Sequence, residues 1–484
     1  MCHKQNIVPD IMHITSRRVI YMCDYGDYSF VVEKAYDKIY KLAYKKAKEI
    51  YGESLPYLIA ERLEKELLFI KKYSYAGYYL LAYKAVSYIR QSGEYVTNRD
   101  YSSVLVAFLL GINTANPLPP HYYCADCHYV YFDNSQIDGF DLSDKICPIC
   151  DRSLKKDGHA ISCEMFMGQN GSRLPDFGLM FPYEIEHSVT EYLVNYFVKE
   201  LGYSENEIRD VIRKTNILSI NFLSLTKTGV FRFLEDFTNV SPNNISFDDR
   251  KVFEFFSNPD SVGTIYFYSD CTKKVLSRFK PKSFDDLVRI VGIAGGTCLT
   301  ANDCVAILNN NYDRGNLGEL PVFRDDVFNR LMKQGFARNM ALDISEYVSH
   351  RHFKQSCNRM DEYIGMMRED GISEYYIKVL RKLDYLFPKS RSVVDAMNLY
   401  RLAWYKVHYP TEYYCAFLSN IFKSGNTIDY GDKYNYTEII KECADKNINF
   451  LEADKEKSDS QLFLPDNRNI RLPLNNKQYF ADNC

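Results

Sequence analysis

Two pairs of cysteines constrain this chain more than any other feature. Cys124 and Cys127 form one Cys-x-x-Cys motif, Cys147 and Cys150 form a second, and 19 residues separate them. This spacing matches zinc ribbons, in which two knuckles supply four thiolates to one tetrahedral ion. A chance pair of motifs in a reducing compartment and a redox-active dithiol are the alternatives. We expect a structural Zn2+ site, because two matched motifs around one loop suit a ribbon better than a single reactive dithiol.

The composition is that of an ordinary globular chain with room for about three domains. Among 484 residues, 60 Lys and Arg stand against 63 Asp and Glu. The resulting net charge of −3 excludes a protein that holds nucleic acid by bulk positive charge, although it leaves room for a local basic patch. The 41 Tyr and 30 Phe can act as stacking platforms for bases, but packing in the core explains them more simply.

The sequence predicts a cytoplasmic protein that is not bound to a membrane. The first ten residues carry charges and a proline, without the apolar region of a signal peptide. The longest apolar run, residues 104–112, is far shorter than the roughly 20 residues that a membrane-spanning helix needs, so it predicts a buried helix. The 14 Cys, ten of them scattered, do not indicate a disulfide scaffold in a chain of this length.

Hydrophobic periodicity predicts a helical N-terminal region. Apolar residues recur every three or four positions from 32 to 73, and Gly52 and Pro56 divide this stretch into two helices. Residues 116–120 (NPLPP) predict an extended linker into the cysteine region. The other predicted elements are helices near 78–90, 102–110 and 186–201, strands near 174–181 and 217–225, many short helices after residue 283, and a helix followed by a strand within 436–454.

Long stretches around the cysteines resemble one family of bacterial proteins. NPLPPHYYCADC at residues 116–127 and GFDLSDKICPICDRSLKKDGH at 139–159 resemble the linker and zinc ribbon of PolC, the replicative DNA polymerase III alpha subunit of low-GC Gram-positive bacteria. Other segments resemble the family in the same order: 44–67 the helices leading into the palm, 174–181 a palm strand, and 324–336 and 385–420 the fingers.

The resemblance implies an α+β fold: a nucleotidyltransferase-like palm with an inserted zinc ribbon and a mainly helical fingers domain. Between residues 183 and 217 the chain is much shorter than the family, which implies that the thumb is largely deleted. The implied segments are an N-terminal remnant (1–30), helices leading into the palm (31–120), the ribbon (121–160), a degenerate palm (161–225), helical fingers (226–425) and a short C-terminal remnant (426–484).

The family's catalytic carboxylates are mostly replaced in this chain. In the family, two Mg2+ ions activate the primer 3′-hydroxyl and neutralise the triphosphate, and they need several carboxylates on adjacent palm strands. The matching positions hold Asp176, Gly178 and Asn221, so one carboxylate of three remains. Glu184 and Glu186 are possible substitutes, but they lie beyond a proline. The resemblance therefore implies that the protein binds Mg2+ only if it is catalytically active. The replaced carboxylates argue against such activity.

Three further segments bear on binding. The family's Gly/Ser-rich phosphate loop matches residues 97–103, which contain no glycine. Lys389 and Arg391 lie in the segment that resembles the incoming-nucleotide side of the fingers, where cations can contact a triphosphate or a DNA phosphate. Two solvated charges at a helix start are an equal alternative. Residues 460–464 (SQLFL) resemble a clamp-binding peptide, but their context matches a C-terminal strand.

These features favour a catalytically inactive PolC-like protein that binds DNA or host replication proteins such as the polymerase or the sliding clamp. An inhibitor of those proteins, or a decoy, immunity or regulatory factor of a phage or mobile element, fits the same features. Two alternatives stay open: a minimal DNA-directed DNA polymerase that uses other carboxylates, and a protein–protein module that binds no nucleic acid.

Overall fold

The structure is a computed structural model that describes most of the chain from residue 30 onward. The described residues are 30–98, 104–215, 217–218, 225–257, 275–276, 279–295, 320–349, 358–383, 385–423 and 436–475. Within them the fold is mixed, with many helices and three small sheets.

The N-terminal region is a group of amphipathic helices, as the periodicity predicts. They are α1 (Ala35–Tyr51), α2 (Tyr57–Lys72), α3 (Ala76–Gln91) and α4 (Leu105–Leu109). Gly52, with φ 93°, ends α1 because this left-handed backbone favours glycine, and Pro56 directly precedes α2. Helix α1 buries Ile39, Ala43 and Ala47 at four-residue steps, so one stripe of the helix faces the core.

Two of the three sheets lie in the first half of the chain. The ribbon sheet contains β2 (His121–Tyr123) between β3 (Val130–Phe132) and β4 (Lys155–Asp157), and both pairings are antiparallel. The small sheet pairs β1 (Thr97–Asn98) with β5 (Leu179–Met180) in antiparallel register. Leu218 adds a parallel bridge to Leu179, so three separate segments meet there. The strands predicted at 174–181 and 217–225 are thus much shorter, and residues 219–224 lie outside the described part.

Helices dominate the remainder of the chain. Around the small sheet lie α5 (Glu164–Met167), α6 (Glu186–Leu201) and α7 (Glu205–Thr215), and α6 has the predicted bounds. The later helices are α8 (Leu225–Thr238), α9 (Arg250–Phe256), α10 (Phe284–Gly295), α11 (Arg324–Lys333), α12 (Arg338–Ser349), α13 (Asn358–Glu369), α14 (Glu374–Lys382), α15 (Lys389–His408) and α16 (Pro410–Lys423). Helix α15, with 20 residues, is longer than the short helices that the turn-rich sequence predicts.

The C-terminal region contains the third sheet. Helix α17 (Tyr436–Asp445) is followed by β6 (Phe450–Leu451), β7 (Leu464–Asp466) and β8 (Asn469–Arg471), which pair in the order β6-β8-β7. Phe463, within the segment that resembles a clamp-binding peptide, is 1% exposed. Its backbone N–H donates to Ser419 Oγ at 2.9 Å, so Phe463 packs against α16 as part of the core.

Buried apolar side chains form three separate clusters. One joins α1–α4 with α6, α7 and the small sheet, a second joins α8–α17, and a third of five residues lies inside the ribbon. The second cluster also takes in Ala115, Ile161 and Met165, from both flanks of the ribbon. The ribbon is therefore anchored at its base to the helices of the second cluster. None of the described helices combines the length and the apolar character that crossing a membrane requires.

Candidate metal centre and candidate catalytic sheet

The four cysteines of the two motifs converge in the ribbon. Their Sγ atoms all lie within 4.8 Å of one another. Cys124 Sγ is 3.4 Å from Cys150 Sγ, and Cys127 Sγ is 3.4 Å from Cys147 Sγ. These distances are too long for a disulfide bond of about 2.05 Å. They are near the separation of roughly 3.8 Å that two thiolates have around a tetrahedral ion with metal–sulfur bonds of about 2.3 Å.

Two similar knuckles position the sulfur atoms. In the first, the N–H of His128 donates to the carbonyl of Cys124, and in the second the N–H of Asp151 donates to the carbonyl of Cys147, both at 3.1 Å. The residue after each motif is left-handed, with φ 60° at His128 and 57° at Asp151. Because both turns reverse the chain in the same way, each directs its two cysteines toward the shared centre.

The surroundings of Cys124 favour its thiolate. Backbone N–H groups of Cys127 and Asp126 donate to Cys124 Sγ and lower the pKa of that thiol to about 6. Cys124 and Cys147 are fully buried, while Cys127 and Cys150 are partly exposed. Four cysteine sulfur atoms that lie together without a disulfide bond fit a structural metal ion. These four cysteines are the residues that the sequence predicts as metal ligands, and metal binding by them stays a prediction.

The nearby histidines contact backbone carbonyls or a carboxylate instead of the cysteine centre. His121 Nδ1 lies 2.8 Å from the carbonyl of Pro119, and His128 Nδ1 lies 3.3 Å from the carbonyl of Ile50. His159 Nδ1 lies 2.7 Å from a carboxylate oxygen of Asp138, and both side chains are fully buried. These contacts tie the ribbon to the end of α1 and to itself, and they leave the four cysteines as the ligand set.

The base of the ribbon contacts the start of α15, where Lys389 lies. Lys389 is 4% exposed, and its Nζ donates to the carbonyl of His159 at 2.7 Å. Its backbone N–H donates to a carboxylate oxygen of Asp325 at 2.9 Å. In this arrangement the ammonium group joins the ribbon to the second cluster. Contact between Lys389 and a phosphate would require this hydrogen bond to break.

Arg391 lies two residues further along α15. Its guanidinium carbon is 4.5 Å from the centroid of the Phe387 ring, and its Nε is 3.8 Å from a carboxylate oxygen of Asp395. The side chain is 19% exposed, so it is more accessible than that of Lys389. Phosphate binding by the two cations stays a prediction.

The small sheet brings together the segments that resemble the family's catalytic palm. Asp176 is partly exposed and lies three residues before β5. Gly178 has φ 47°, a left-handed conformation that side-chain-bearing residues rarely adopt. The backbone at this position is therefore not the extended strand that would place a second carboxylate on the same face as the first. Asn221 lies outside the described residues, three positions after the bridge residue Leu218.

No cluster of carboxylates forms around Asp176 in the described part of the chain. Across those residues, the four cysteines are the one group of three or more potential metal ligands that lie together. Glu184 is exposed on a short turn of helix, and Glu186 begins α6, where burial raises the pKa of its carboxyl. Neither joins Asp176 in such a group.

A charge network between distant segments has no signal in the sequence. Glu164 is 1% exposed and receives Lys65 Nζ and an Arg338 guanidinium nitrogen, both at 2.7 Å. Arg324 and Arg173 both donate to the carbonyl of Met165, at 2.8 and 2.9 Å. These contacts connect α5 with α2, α11 and α12. Sequence reasoning misses the contacts of Lys65, Arg324 and Arg338 because their partners are 99 to 174 residues away.

Comparison with known proteins gives two adjacent family matches. The family described as "Bacterial DNA polymerase III alpha NTPase domain" matches residues 37–221. The family described as "Bacterial DNA polymerase III alpha subunit finger domain" matches residues 223–316. The first match contains the ribbon and the small sheet, and the two together leave one residue between them.

Curated relatives match over most of this chain. "DNA polymerase III PolC-type" of Thermotoga petrophila is 26% identical over 566 residues, covering 92% of this chain and 41% of the relative. The proteins of the same name from Clostridium perfringens and Bacillus subtilis are 28% and 27% identical, covering 94% and 81% of this chain and 39% and 34% of their own lengths. The chain thus spans about two fifths or less of these relatives. By its two domain matches and these relatives, the chain belongs to the bacterial DNA polymerase III alpha family, as a homologue of the PolC type.

Proposed function

We propose that this protein is a catalytically inactive PolC homologue that binds DNA or a replication-associated partner in the cytoplasm. The observation that carries the proposal is the state of the small sheet. Asp176 is present, Gly178 has a left-handed backbone, and no group of three potential metal ligands includes Asp176 among the described residues. Two-metal nucleotidyl transfer needs several carboxylates around both ions. Loss of two of three should lower the rate by orders of magnitude, at roughly tenfold per 1.4 kcal/mol.

The alignments to relatives support a shortened interior. The alignment with the Thermotoga petrophila protein runs over 566 residues but covers 92% of 484 residues, which is about 445. At least about 120 aligned positions therefore have no counterpart in this chain. We place most of this loss between residues 183 and 217, where α6 and α7 take the place of the family's longer segment, including the thumb.

For the cysteine centre we propose zinc as the metal. Zn2+ accepts four thiolates in tetrahedral geometry and needs no open position in a structural site. Cys124, Cys127, Cys147 and Cys150 would hold it, and it would supply folding energy to the ribbon, with no part in catalysis.

A primer-extension assay tests the inactive assignment. Purified protein with primer-template DNA, all four dNTPs and either Mg2+ or Mn2+ should give no extension above a blank. The control is the variant Asp176→Ala, which should behave like the parent protein. Robust incorporation by the parent that Asp176→Ala abolishes would establish the minimal polymerase instead.

Binding to primer-template DNA as a function of salt tests the partner class. If the protein contacts phosphates, the affinity should fall steeply as salt rises, because counterion release drives such binding. Absence of DNA binding at low salt, together with capture of the host polymerase or sliding clamp by the immobilised protein, would support the protein–protein module in place of a DNA-binding protein.

A further inference from the structure

A surface on helices α1, α3 and α6 combines lysine ammonium groups with tyrosine rings. Lys38 Nζ of α1 donates to the hydroxyl of Tyr196 on α6 at 3.0 Å, and Lys84 Nζ of α3 lies 3.9 Å from the centroid of the Tyr196 ring. Three helices therefore meet at Tyr196. We call this area the basic tyrosine surface, and its residues are Lys38, Lys41 and Lys45 of α1, Lys84 and Tyr88 of α3, and Tyr192 and Tyr196 of α6.

The lysines of the basic tyrosine surface lack counter-charges. Lys38, Lys41 and Lys45 are exposed and follow one another at steps of three and four residues, so they share one stripe of α1 that is about 10 Å long. Neither they nor the lysine of α3 forms an ion pair with any residue that the structure describes. The carboxylate of Glu191, beside the tyrosines of α6, already pairs with Arg209 at 2.6 Å. The surface therefore presents positive charge that no ion pair with a described carboxylate neutralises.

The tyrosine rings of this surface already contact one another through their faces. Tyr192 stacks on Tyr88 with the ring centroids 4.5 Å apart, and on Tyr196 with the centroids 6.5 Å apart. The ammonium group of Lys84 covers a face of Tyr196. The three rings are half-buried, and their hydroxyl groups donate to no residue in the described ranges. The surface therefore offers a partner ammonium and hydroxyl donors more than free ring faces.

We propose that the basic tyrosine surface binds an acidic, extended segment of a partner protein. Ammonium and hydroxyl groups donate to carboxylates, and hydrogen bonds to an ionised group are the stronger kind. An extended chain advances about 3.3 Å per residue, so about three or four residues of such a segment span the lysine stripe of α1. The covered ring faces favour this occupant over single-stranded nucleic acid, whose bases need free faces for stacking. The inference goes beyond the proposed function, because it gives the chemistry of a protein partner and holds whether or not the protein extends a primer.

Fluorescence anisotropy at low salt tests the surface, with a fluorescein-labelled peptide of about ten alternating aspartate and serine residues as the probe. We expect saturable binding that weakens as salt rises, because salt screens contacts between exposed charges. The double variant Lys41→Glu/Lys45→Glu should weaken binding of the probe at least about tenfold. The control Lys333→Glu/Lys378→Glu replaces two exposed lysines of α11 and α14, has the same net charge, and should bind the probe like the parent protein. Absence of binding by the parent protein, or equal weakening in the two double variants, would overturn the proposal.

A second probe distinguishes a protein partner from single-stranded DNA. It is a labelled oligothymidylate of the same length, and Lys41→Glu/Lys45→Glu should affect its binding no more than the control double variant does. A larger loss of oligothymidylate binding than of peptide binding in Lys41→Glu/Lys45→Glu would assign the surface to nucleic acid and overturn the proposal. Peptide binding should persist in Asp176→Ala. Primer extension does not depend on the peptide, so this proposal and the function proposed above fail in separate experiments.

Discussion

Gly178 bears on the proposed loss of catalysis through its backbone as well as through its missing side chain. The sequence reveals that a carboxylate is absent, and the structure adds that the backbone there has φ 47°. A β-carbon makes this conformation unfavourable by roughly 1–2 kcal/mol. A carboxylate side chain at this position would therefore also impose an unfavourable backbone conformation.

We therefore predict that Gly178→Asp does not restore catalysis. The variant should be less stable than the parent by roughly 1–2 kcal/mol, measured by denaturant unfolding, and should remain inactive in primer extension. Gly202→Asp is a matched control for the introduction of an Asp side chain at a left-handed glycine. Gly202 has φ 74°, ends α6 and has open space around it. Primer extension by Gly178→Asp would show that the missing charge, and not the backbone, limits the site.

At the scale of elements, the ribbon has a small core of its own that includes the four cysteines. Tyr122, Leu142 and Leu154 pack with the buried cysteines, and this small cluster has few apolar members. So small a core provides little hydrophobic stabilisation. The metal is therefore expected to supply most of the stability of the ribbon.

We predict that the protein binds about one equivalent of Zn2+ and that Cys147→Ser loses it. The variant should become sensitive to proteolysis within residues 117–159, since three ligands cannot close the tetrahedral site. Cys163→Ser is the control, because Cys163 is a buried cysteine outside the centre. If metal analysis finds full zinc content in Cys147→Ser, the result would count against the assignment of the zinc site to these cysteines.

Asp141 connects the ribbon to helix α10. Its two carboxylate oxygens accept the backbone N–H groups of Phe284 and Asp285, at 2.6 and 2.9 Å, and so cap the start of that helix. Burial raises the pKa of the Asp141 carboxyl to about 7, and the charge of Asp138 acts in the same direction. The carboxyl thus takes up a proton more readily in the folded protein than in the unfolded chain.

This raised pKa predicts a pH dependence of stability. The folded state binds more protons than the unfolded state between the ordinary carboxyl pKa and about 7. The stabilisation of the folded state by the protonated Asp141 carboxyl is therefore fully present below the ordinary carboxyl pKa. It declines by a few kcal/mol as pH rises to about 7. Asp141→Asn should flatten this part of the curve of unfolding free energy against pH. An identical slope in parent and variant would exclude Asp141 as its origin.

At the scale of the whole molecule, polar contacts between distant segments hold the three clusters together. Glu164 joins Lys65 to Arg338, and Lys389 joins α15 to the ribbon. Hydrogen bonds that involve a charged group contribute about 1.5–3 kcal/mol each, and a buried partner left unsatisfied adds to the loss. The ribbon and the later helices should therefore unfold as coupled units.

Lys389→Met tests this coupling and also the predicted phosphate contact. The variant keeps the length of the side chain but should lower the free energy of unfolding by roughly 2 kcal/mol and reduce the effect of a metal chelator on the later helices. Arg391→Met, two residues along α15, is the matched control and should change stability less. Weaker DNA binding by Lys389→Met with unchanged stability would show that the ammonium group binds phosphate and does not stabilise the fold.

The sequence alone determined the local features of this protein. It predicted the four clustered cysteines, the first three helices, the bounds of α6 and the family, because these depend on short spacings, periodicity and ungapped similarity. Only the tertiary structure decided which groups Lys389 contacts and that Gly178 has a left-handed backbone. The physical reason is that burial and pairing depend on segments more than a hundred residues apart, and no local pattern records which of them meet.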